Sequence, residues 1–325
     1  MPLMSYRDAV RQAMDEEMER DDAVFLMGEE VGEYNGAYKL SKGLLNKYGP
    51  ERVVDTPITE LGFTGVGVGA AMVGLRPIIE WMSFNFGILA LDQVINNAAK
   101  MRYMSGGQFK LPLVIRGPNG PAEYLASQHS QALQSIFAHV PGLKVVAPAT
   151  PYDAKGLLKT AVRDDNPVIV LEGELMYLWK GEVPEKEYLI PFGMADVKRE
   201  GKDVTLVTYS KPLKIAQEAA VVLEKEGIDC EIVDLRSIRP LDEQSIYDSV
   251  KKTNRCVVID EAWPVASVGS HIAWLVAKNC FDFLDAPVEF ISAEDVPMPY
   301  NHMLELAAQP SVDKVVRAVK QVLYV

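Results

Sequence analysis

Residues 55–77 read DTPITELGFTGVGVGAAMVGLRP, and this stretch decides the fold class. Thr56 is typical of a helix N-cap and Pro57 of a first helical turn, so a helix is predicted over 60–75. An apolar strand is predicted to follow directly at 77–82. A helix that leads into a largely apolar strand is typical of a parallel sheet covered on both faces.

The same alternation of apolar strands and helices continues through both halves of the chain. The first half is predicted to contain strands at 24–27, 77–82, 112–116, 143–147 and 167–171, and helices at 5–19, 60–75, 89–103, 130–138 and 152–163. The second half is predicted to contain strands at 203–209, 228–235, 255–260 and 287–291, and helices at 212–225, 242–252, 267–279 and 311–323. We therefore predict two doubly wound α/β domains, 1–185 and 203–325, joined by a polar, turn-rich linker at 186–202.

Composition excludes several classes of partner. The chain has 325 residues, of which 48% are hydrophobic, enough for one large or two medium cores. A formal net charge of -12 argues against nucleic acid and anionic membrane as partners. Residues 61–75 are too few and too rich in glycine for a membrane span, and residues 1–8 resemble neither a signal peptide nor a basic transit peptide. The cytoplasm is expected for a bacterial chain, and an organelle matrix for a processed eukaryotic one.

Cysteine, histidine and glycine patterns exclude other kinds of site. Cys230, Cys256 and Cys280 form no C-x-x-C pair and are expected to be reduced, buried thiols. The four histidines lack metal-ligand spacing, which argues against a zinc site built by this chain. Neither G-x-G-x-x-G after the first strand nor G-x-x-x-x-G-K-[ST] occurs, so the usual glycine cradles for phosphate are missing.

Glu60 is the strongest chemical candidate, because it is a lone carboxylate at the beginning of the uncharged run from Leu61 to Leu75. Loss of hydration raises a carboxyl pKa and favours the neutral form, which can donate a proton to a nitrogen heterocycle. The alternative is structural, since an acid in a first helical turn stabilises the helix dipole. The small residues of this helix predict close packing, either on the chain's own sheet or on another subunit.

Other candidates lie where strands end, since open parallel sheets bind ligands at the carboxyl ends of their strands. Glu29 follows strand 24–27, Phe86 follows strand 77–82, and His129 precedes helix 130–138. A histidine among polar neighbours suits proton transfer near neutral pH, although it could equally be a hydrogen-bonding residue at a helix start. Phe84 and Phe86 predict core packing, or an aromatic face for a planar ligand.

Several segments together resemble the beta subunits of thiamine-dependent 2-oxo acid dehydrogenases. They are DTPITELGFTGVGVGAAMVGLRP (55–77), LDQVINNAAKMRYMSGG (91–107), RGPNG (116–120), SQHSQ (127–131), PGLKVVAP (141–148) and DVPMPY (295–300). RGPNG and DVPMPY resemble the pyruvate enzymes more than the branched-chain ones. The resemblance covers essentially the whole chain. It implies an N-terminal domain that binds the pyrimidine of thiamine diphosphate, followed by a transketolase-type C-terminal domain.

The resemblance also implies that this chain supplies half of an active site. In the family, the alpha subunit holds the diphosphate and its Mg²⁺ through a G-D-G motif, and this chain has no G-D-G. The expected assembly is an α₂β₂ heterotetramer that serves a dihydrolipoyl acetyltransferase core. The implied reaction is oxidative decarboxylation of pyruvate with acetyl transfer to lipoyl groups.

The resemblance assigns roles residue by residue. Glu60 matches the glutamate that hydrogen-bonds the pyrimidine nitrogen and activates the cofactor. His129 matches a histidine that handles protons on the intermediates or on the lipoyl sulfur. Phe86 matches the aromatic residue that stacks on the pyrimidine, and Glu29 and Ile58 line the same pocket.

Two further sites are implied by the resemblance alone. A potassium site built mostly from main-chain oxygens matches Leu113, Ala161, Val162, Asp164 and Asn166. Asp285 matches a residue that contacts the acetyltransferase. By themselves, residues 164–166 are typical of a turn, and Asp285 is typical of a solvated surface acid.

Three alternatives remain open at this point. The substrate could be a branched-chain 2-oxo acid or acetoin, because the substrate pocket is shared with the alpha subunit. A non-catalytic homologue would be expected to lack Glu60 or His129, and both are present. A single-chain enzyme of the transketolase or deoxyxylulose-phosphate type would be expected to contain the diphosphate motif and a longer chain.

Overall fold

The computed structural model describes residues 2–325 and divides them into two units. The first unit comprises residues 2–119 and 136–192, and the second comprises 120–135 and 193–325. The predicted domains, 1–185 and 203–325, run without interruption, whereas residues 120–135 cluster with the second unit. Two hydrogen bonds join this segment to the second unit. Lys211 Nζ donates to Pro121 O at 2.8 Å, and Ser127 Oγ donates to Met298 O at 2.8 Å.

The strands and helices are numbered here in chain order. The strands are β1 Leu3–Ser5, β2 Val24–Gly28, β3 Val53–Asp55, β4 Arg76–Glu80, β5 Val114–Pro118, β6 Lys144–Val146, β7 Val168–Glu172, β8 Lys180–Glu182, β9 Asp196–Arg199, β10 Val204–Thr208, β11 Cys230–Asp234, β12 Ser237–Arg239, β13 Cys256–Ile259 and β14 Glu289–Ile291. The α-helices are α1 Tyr6–Arg20, α2 Leu44–Tyr48, α3 Glu60–Met72, α4 Phe84–Gly87, α5 Ala99–Met104, α6 Gln134–His139, α7 Pro151–Arg163, α8 Pro212–Glu224, α9 Glu243–Thr253, α10 Val268–Asn279, α11 His302–Ala308 and α12 Val312–Leu323.

The first unit is built on a parallel sheet whose strands follow the order β6-β7-β5-β4-β2-β3. Each of these strands is dominated by apolar residues, because helices cover both faces of such a sheet. Helices α1 and α7 pack together over one face, where Met14 and Met18 join Leu157 and Leu158 in the core.

The second unit repeats this architecture with a five-stranded sheet in the order β14-β13-β10-β11-β9. Four of its strands are parallel, and β9 is an antiparallel edge strand that lies within the predicted linker 186–202. The prediction of two α/β folds is therefore confirmed.

Three predicted helices differ from the structure. Helix 60–75 begins at Glu60 as expected, but its N-cap is Thr59 and not Thr56. Thr56 N bonds to Gly28 O at 3.0 Å, which keeps that residue extended beside β2. The predicted helix 130–138 begins only at Gln134, since Gln131 O accepts a bond from Gly120 N at 3.0 Å instead of starting a helix.

The predicted helix 89–103 is divided into a 3₁₀ turn over Ile88–Ala90, a π-helix over Gln93–Ala98 and then α5. Asn97 Nδ2 donates to Gln93 Oε1 at 2.9 Å along the π-helical stretch. π-Helical turns within helices are rare, and the hydrophobic period of the sequence does not reveal them.

Two findings concern the chain as a whole. Cys230, Cys256 and Cys280 are free and buried, as predicted. Within residues 2–325, no helix combines the length and the apolar character that crossing a membrane requires.

Candidate functional site

The candidate site is formed at the carboxyl edge of the first sheet, where β2, β3 and β4 end side by side. Gly28 pairs with Asp55 on one side and with Glu80 on the other. A Cβ atom at Gly28 would lie 2.5 Å from Glu80 O, so the close approach of these strands requires glycine. The next loop folds onto the edge, because Gly32 N and Glu33 N donate to the Asp55 carboxylate at 2.6 and 2.9 Å.

This loop brings Glu29 beside Glu60, the first residue of α3. The two side chains are only 6% and 5% exposed. Burial raises the pKa of Glu29 to about 7, and the charge of Glu60 and a hydrogen bond to it add to the shift. Glu60 is isolated from other acids along its apolar sequence run, and the fold places Glu29 next to it. Glu29 and Glu60 are adjacent buried carboxyl groups, and the pKa of Glu29 is raised because burial and a neighbouring negative charge both disfavour its ionised form.

One oxygen of the pair has no partner within the chain. Glu29 Oε1 is buried and makes no hydrogen bond. Most buried polar atoms in proteins are hydrogen-bonded, so an orphaned one calls for an explanation such as a ligand. An outside N–H or O–H donor can complete the hydrogen bonding of this carboxyl group.

The two phenylalanines after β4 have different surroundings. Phe84 is fully buried, and its ring packs edge-on against Trp81 at 5.1 Å and Phe137 at 5.3 Å. Phe86 is only half-buried, in the short helix α4 that Ser83 caps. Core packing therefore accounts for Phe84, whereas Phe86 keeps ring surface that a planar ligand can use.

The glycine face of α3 packs on the chain's own sheet. A Cβ atom at Gly67 would lie 2.5 Å from Ile79 Cδ1 on β4, so a larger residue there would have to displace the Ile79 side chain. A Cβ atom at Gly69 would meet nothing within 4 Å. Of the two alternatives left open by the sequence, own-sheet packing explains Gly67.

Ile58, predicted to line the cofactor pocket, is 86% exposed two residues before Glu60.

Sequence reasoning missed an ionic cluster beneath this edge of the sheet. Arg116 Nε donates to Glu172 Oε1 at 2.6 Å, and its two other nitrogens bond to Glu80 Oε2 and Glu172 Oε2. All three side chains are buried, and Tyr177 Oη donates to Glu172 at 2.8 Å. A signal existed, because each of these three largely apolar strands carries a charged residue in its middle or at its carboxyl end: Arg116 in VIRGP, Glu80 in RPIIE and Glu172 in VIVLE.

The pKa values in this cluster follow from burial and charge. Burial raises the pKa of Glu80, although Arg116 opposes the shift. Burial works against the charge of Arg116, but Glu172 and Glu80 hold its pKa well above the usual range. The cluster combines one cation with two acids, so it depends on Arg116 for most of its electrostatic compensation.

His129 lies in the second unit, whereas Glu60 lies in the first. The residue is exposed and belongs to the loop 120–131, in which Ser127 Oγ donates to Met298 O at 2.8 Å. Met298 is part of DVPMPY, so two of the segments that resemble the dehydrogenases are in contact.

No group of three or more His, Cys, Asp or Glu side chains within residues 2–325 is arranged to hold a metal ion.

The residues matched to potassium lie near the end of α7. Arg76 Nη1 donates to Val162 O at 2.9 Å and to Asp164 O at 3.2 Å. Ala161 O accepts from Asp164 N at 3.2 Å, and Leu113 O accepts from Val168 N at 2.8 Å. A guanidinium thus already supplies positive charge at two of the matched oxygens. The Asn166 side chain donates to Asp164 Oδ1 at 2.7 Å.

Asp285, matched to a partner contact, is about half exposed. Its carboxylate lies 3.0 Å from Arg255 Nη2. An exposed ion pair of this kind contributes little to stability. Asp285 can therefore be a solvated surface acid or a binding residue.

The titration of Glu29 gives a first prediction. Its pKa is raised from 4.5 to about 7, so its contribution to stability is complete below about pH 4.5 and is lost as pH rises through 7. Glu29→Gln cannot ionise and escapes this loss. We expect the difference in urea midpoint, Glu29→Gln minus wild type, to increase between about pH 5 and about pH 8. A constant difference across this range would contradict a raised pKa at Glu29.

Comparison with known proteins identifies the family. Residues 3–178 match the transketolase pyrimidine binding domain, and residues 193–315 match the transketolase C-terminal domain. The chain is 56% identical over 321 residues to the pyruvate dehydrogenase E1 component subunit beta of Rickettsia felis, covering 99% of this chain and 98% of that protein. The chain belongs to the pyruvate dehydrogenase E1 beta-subunit family.

Other matches extend this finding. The mitochondrial pyruvate dehydrogenase E1 component subunit beta of Bos taurus is 52% identical over 325 residues, covering 98% of this chain and 90% of that protein. A solved structure titled split gene transketolase, inactive beta4 tetramer, superposes with a TM-score of 0.81 at 22% identity and covers 99% of both chains. At that identity the solved structure supports the fold alone.

Proposed function

We propose that this chain is the beta subunit of a thiamine-diphosphate-dependent pyruvate dehydrogenase and provides the pyrimidine half of the cofactor site. The observation that supports this function best is the buried pair Glu29–Glu60, with its unpartnered Glu29 oxygen at the carboxyl edge of a parallel sheet. A ring that accepts a hydrogen bond from one carboxyl group, and donates to its neighbour, suits this pair. The aminopyrimidine of thiamine diphosphate is such a ring.

Each residue of the pair has a separate task in the proposed site. Glu60 is proposed to hydrogen-bond the ring nitrogen, while Glu29 Oε1 offers an acceptor. Phe86 orients the ring through its exposed face, and Ile58 lies at the rim. When bound, the cofactor supplies the carbon nucleophile that attacks the 2-oxo acid and allows CO₂ to leave.

His129 is proposed to move protons in the second half of the reaction, when a lipoyl group accepts the acetyl fragment. Its exposure fits a residue that must be reached by a large second substrate. Asp285, also exposed, is proposed to contact the acetyltransferase core that presents the lipoyl group.

An alpha subunit is proposed to complete the site and to hold the diphosphate and Mg²⁺ in an α₂β₂ heterotetramer. Apolar side chains left uncovered in the first unit support an assembly, since large exposed apolar surfaces usually mark interfaces. They include Ile58, Val66, Val73, Tyr103 and Met104. Potassium at Leu113, Ala161, Val162, Asp164 and Asn166 stays a prediction, and no step depends on it. The proposed compartment is the cytoplasm for a bacterial chain and the organelle matrix for a eukaryotic one.

Reconstitution tests this function. The chain is assayed for decarboxylation with an artificial electron acceptor, thiamine diphosphate and Mg²⁺, with and without its cognate alpha subunit. We expect activity only with the partner, and kcat/KM at least about tenfold higher for pyruvate than for 3-methyl-2-oxobutanoate or acetoin.

Two outcomes would contradict the proposal in different ways. Full activity of the isolated chain would indicate a self-sufficient thiamine enzyme instead of half a site. A preference for 3-methyl-2-oxobutanoate or acetoin would keep the chemistry and change the substrate to that of a branched-chain or acetoin dehydrogenase.

A further inference from the structure

The loop 120–131, which contains His129, has a strained backbone. Tyr124 and Ala126 have φ values of 64° and 60°, in the left-handed region that residues other than glycine rarely adopt. Such conformations persist only where surrounding contacts hold them, and they concentrate at functional sites. The contacts that hold this loop therefore bear on the placement of His129.

Several of these contacts come from α11 and the segment before it. Glu305 Oε2 accepts from Tyr124 N at 3.4 Å and lies 3.4 Å from His302 Nδ1. The His302 ring stacks on the Tyr124 ring, with centroids 4.9 Å apart and planes 29° apart. Ser127 Oγ donates to Met298 O at 2.8 Å. One acid and one ring of α11 thus contact the strained residue Tyr124, at its backbone N–H and at its ring.

The burial of Glu305 at this position lowers the stability of the fold. Its side chain is 1% exposed, and its Oε1 atom is buried without a hydrogen-bond partner. A buried acid with an unsatisfied oxygen is usually less stabilising than an apolar residue of similar size. Fold stability alone does not account for Glu305, whereas its contacts to Tyr124 and His302 link it to the loop that presents His129.

We infer that Glu305 is a positioning residue that, with His302, holds loop 120–131 in the conformation that presents His129 to the lipoyl substrate. This role rests on the function proposed above for His129. The lipoyl group does not contact Glu305 in this arrangement, because Glu305 acts through Tyr124 and the loop backbone.

Limited proteolysis of the full chain tests the structural part without any activity. Chymotrypsin cleaves after Tyr124 and Leu125, whose side chains are 51% and 38% exposed. Glu305→Ala should raise the cleavage rate at these two bonds about tenfold, because the loop then opens more often. Glu294→Ala is the matched control, since it removes an exposed glutamate that pairs with Lys314 and does not contact the loop.

Two further variants keep the test decisive if Glu305→Ala fails to fold. His302→Ala removes a partly exposed ring and should also speed cleavage. Glu305→Gln keeps an oxygen that can accept from Tyr124 N and should cleave at close to the wild-type rate. A wild-type cleavage rate in His302→Ala, and in Glu305→Ala where it folds, would overturn the inference.

Kinetics of the complex with the cognate alpha subunit test the functional part. Glu305→Ala should lower kcat with a lipoyl domain about tenfold, while KM for pyruvate and the artificial-acceptor rate stay within about twofold. Loss of lipoyl activity in His129→Ala but not in Glu305→Ala would overturn the positioning role. Full lipoyl activity in His129→Ala would overturn the function proposed for His129, and cleavage rates would then decide on loop 120–131 separately.

Discussion

Glu60→Gln in the complex with an alpha subunit should lower decarboxylation about a thousandfold, within the range that proton transfer by a positioned side chain contributes. The substitution keeps the volume and the hydrogen-bonding capacity of residue 60, and it removes the exchangeable carboxyl proton. The rate is measured with an artificial acceptor at saturating thiamine diphosphate, so that lipoyl transfer does not limit it.

Glu30→Gln provides the matched control for this measurement. Glu30 adjoins Glu29 but is exposed, so the variant removes the same charge from the same loop without touching the buried pair. It should retain full activity. A Glu60→Gln complex that kept the wild-type rate would show that Glu60 is a structural residue at a helix start, which is the alternative that its sequence left open.

Arg116→Met should lower the free energy of unfolding by about 3–5 kcal/mol, because it leaves two buried acids without their cation. Methionine occupies a similar volume, so little of the loss should come from a cavity. In this variant both Glu80 and Glu172 lose their bonds to the Arg116 cation. Glu172 keeps the hydrogen bond from the Tyr177 hydroxyl. The loss is measured by urea unfolding of the isolated chain near neutral pH.

The triple variant with Arg116→Met, Glu80→Gln and Glu172→Gln separates charge from packing. It removes the uncompensated acids and should recover more than half of the lost stability, since buried ion clusters can often be replaced by neutral residues of similar volume. A loss below about 1 kcal/mol in Arg116→Met alone would contradict the view that Arg116 compensates both acids.

The alternation of strands and helices could be predicted because it depends on local hydrophobic patterns. The apolar strands at 77–82 and 167–171, for example, were predicted within a few residues of β4 and β7. Helix boundaries were less predictable where long-range bonds intervene. Residues just before α6 are engaged elsewhere, since Gly120 N donates to Gln131 O, and a π-helical stretch over Gln93–Ala98 precedes α5.

The sequence by itself determined the α/β architecture, the family and the candidates Glu60 and His129, because these follow from periodicity and contiguous motifs. Only the tertiary structure decided how the acids are grouped. Glu29 becomes the partner of Glu60 because β2 and α3 meet at one edge of the sheet, 31 positions apart along the chain. Folding likewise brings Arg116 into contact with Glu80 and Glu172, and Glu305 into contact with Tyr124, although these residues are far apart along the chain. The pKa of a carboxyl group and the strain of a loop depend on neighbours in space, and folding alone brings those neighbours together.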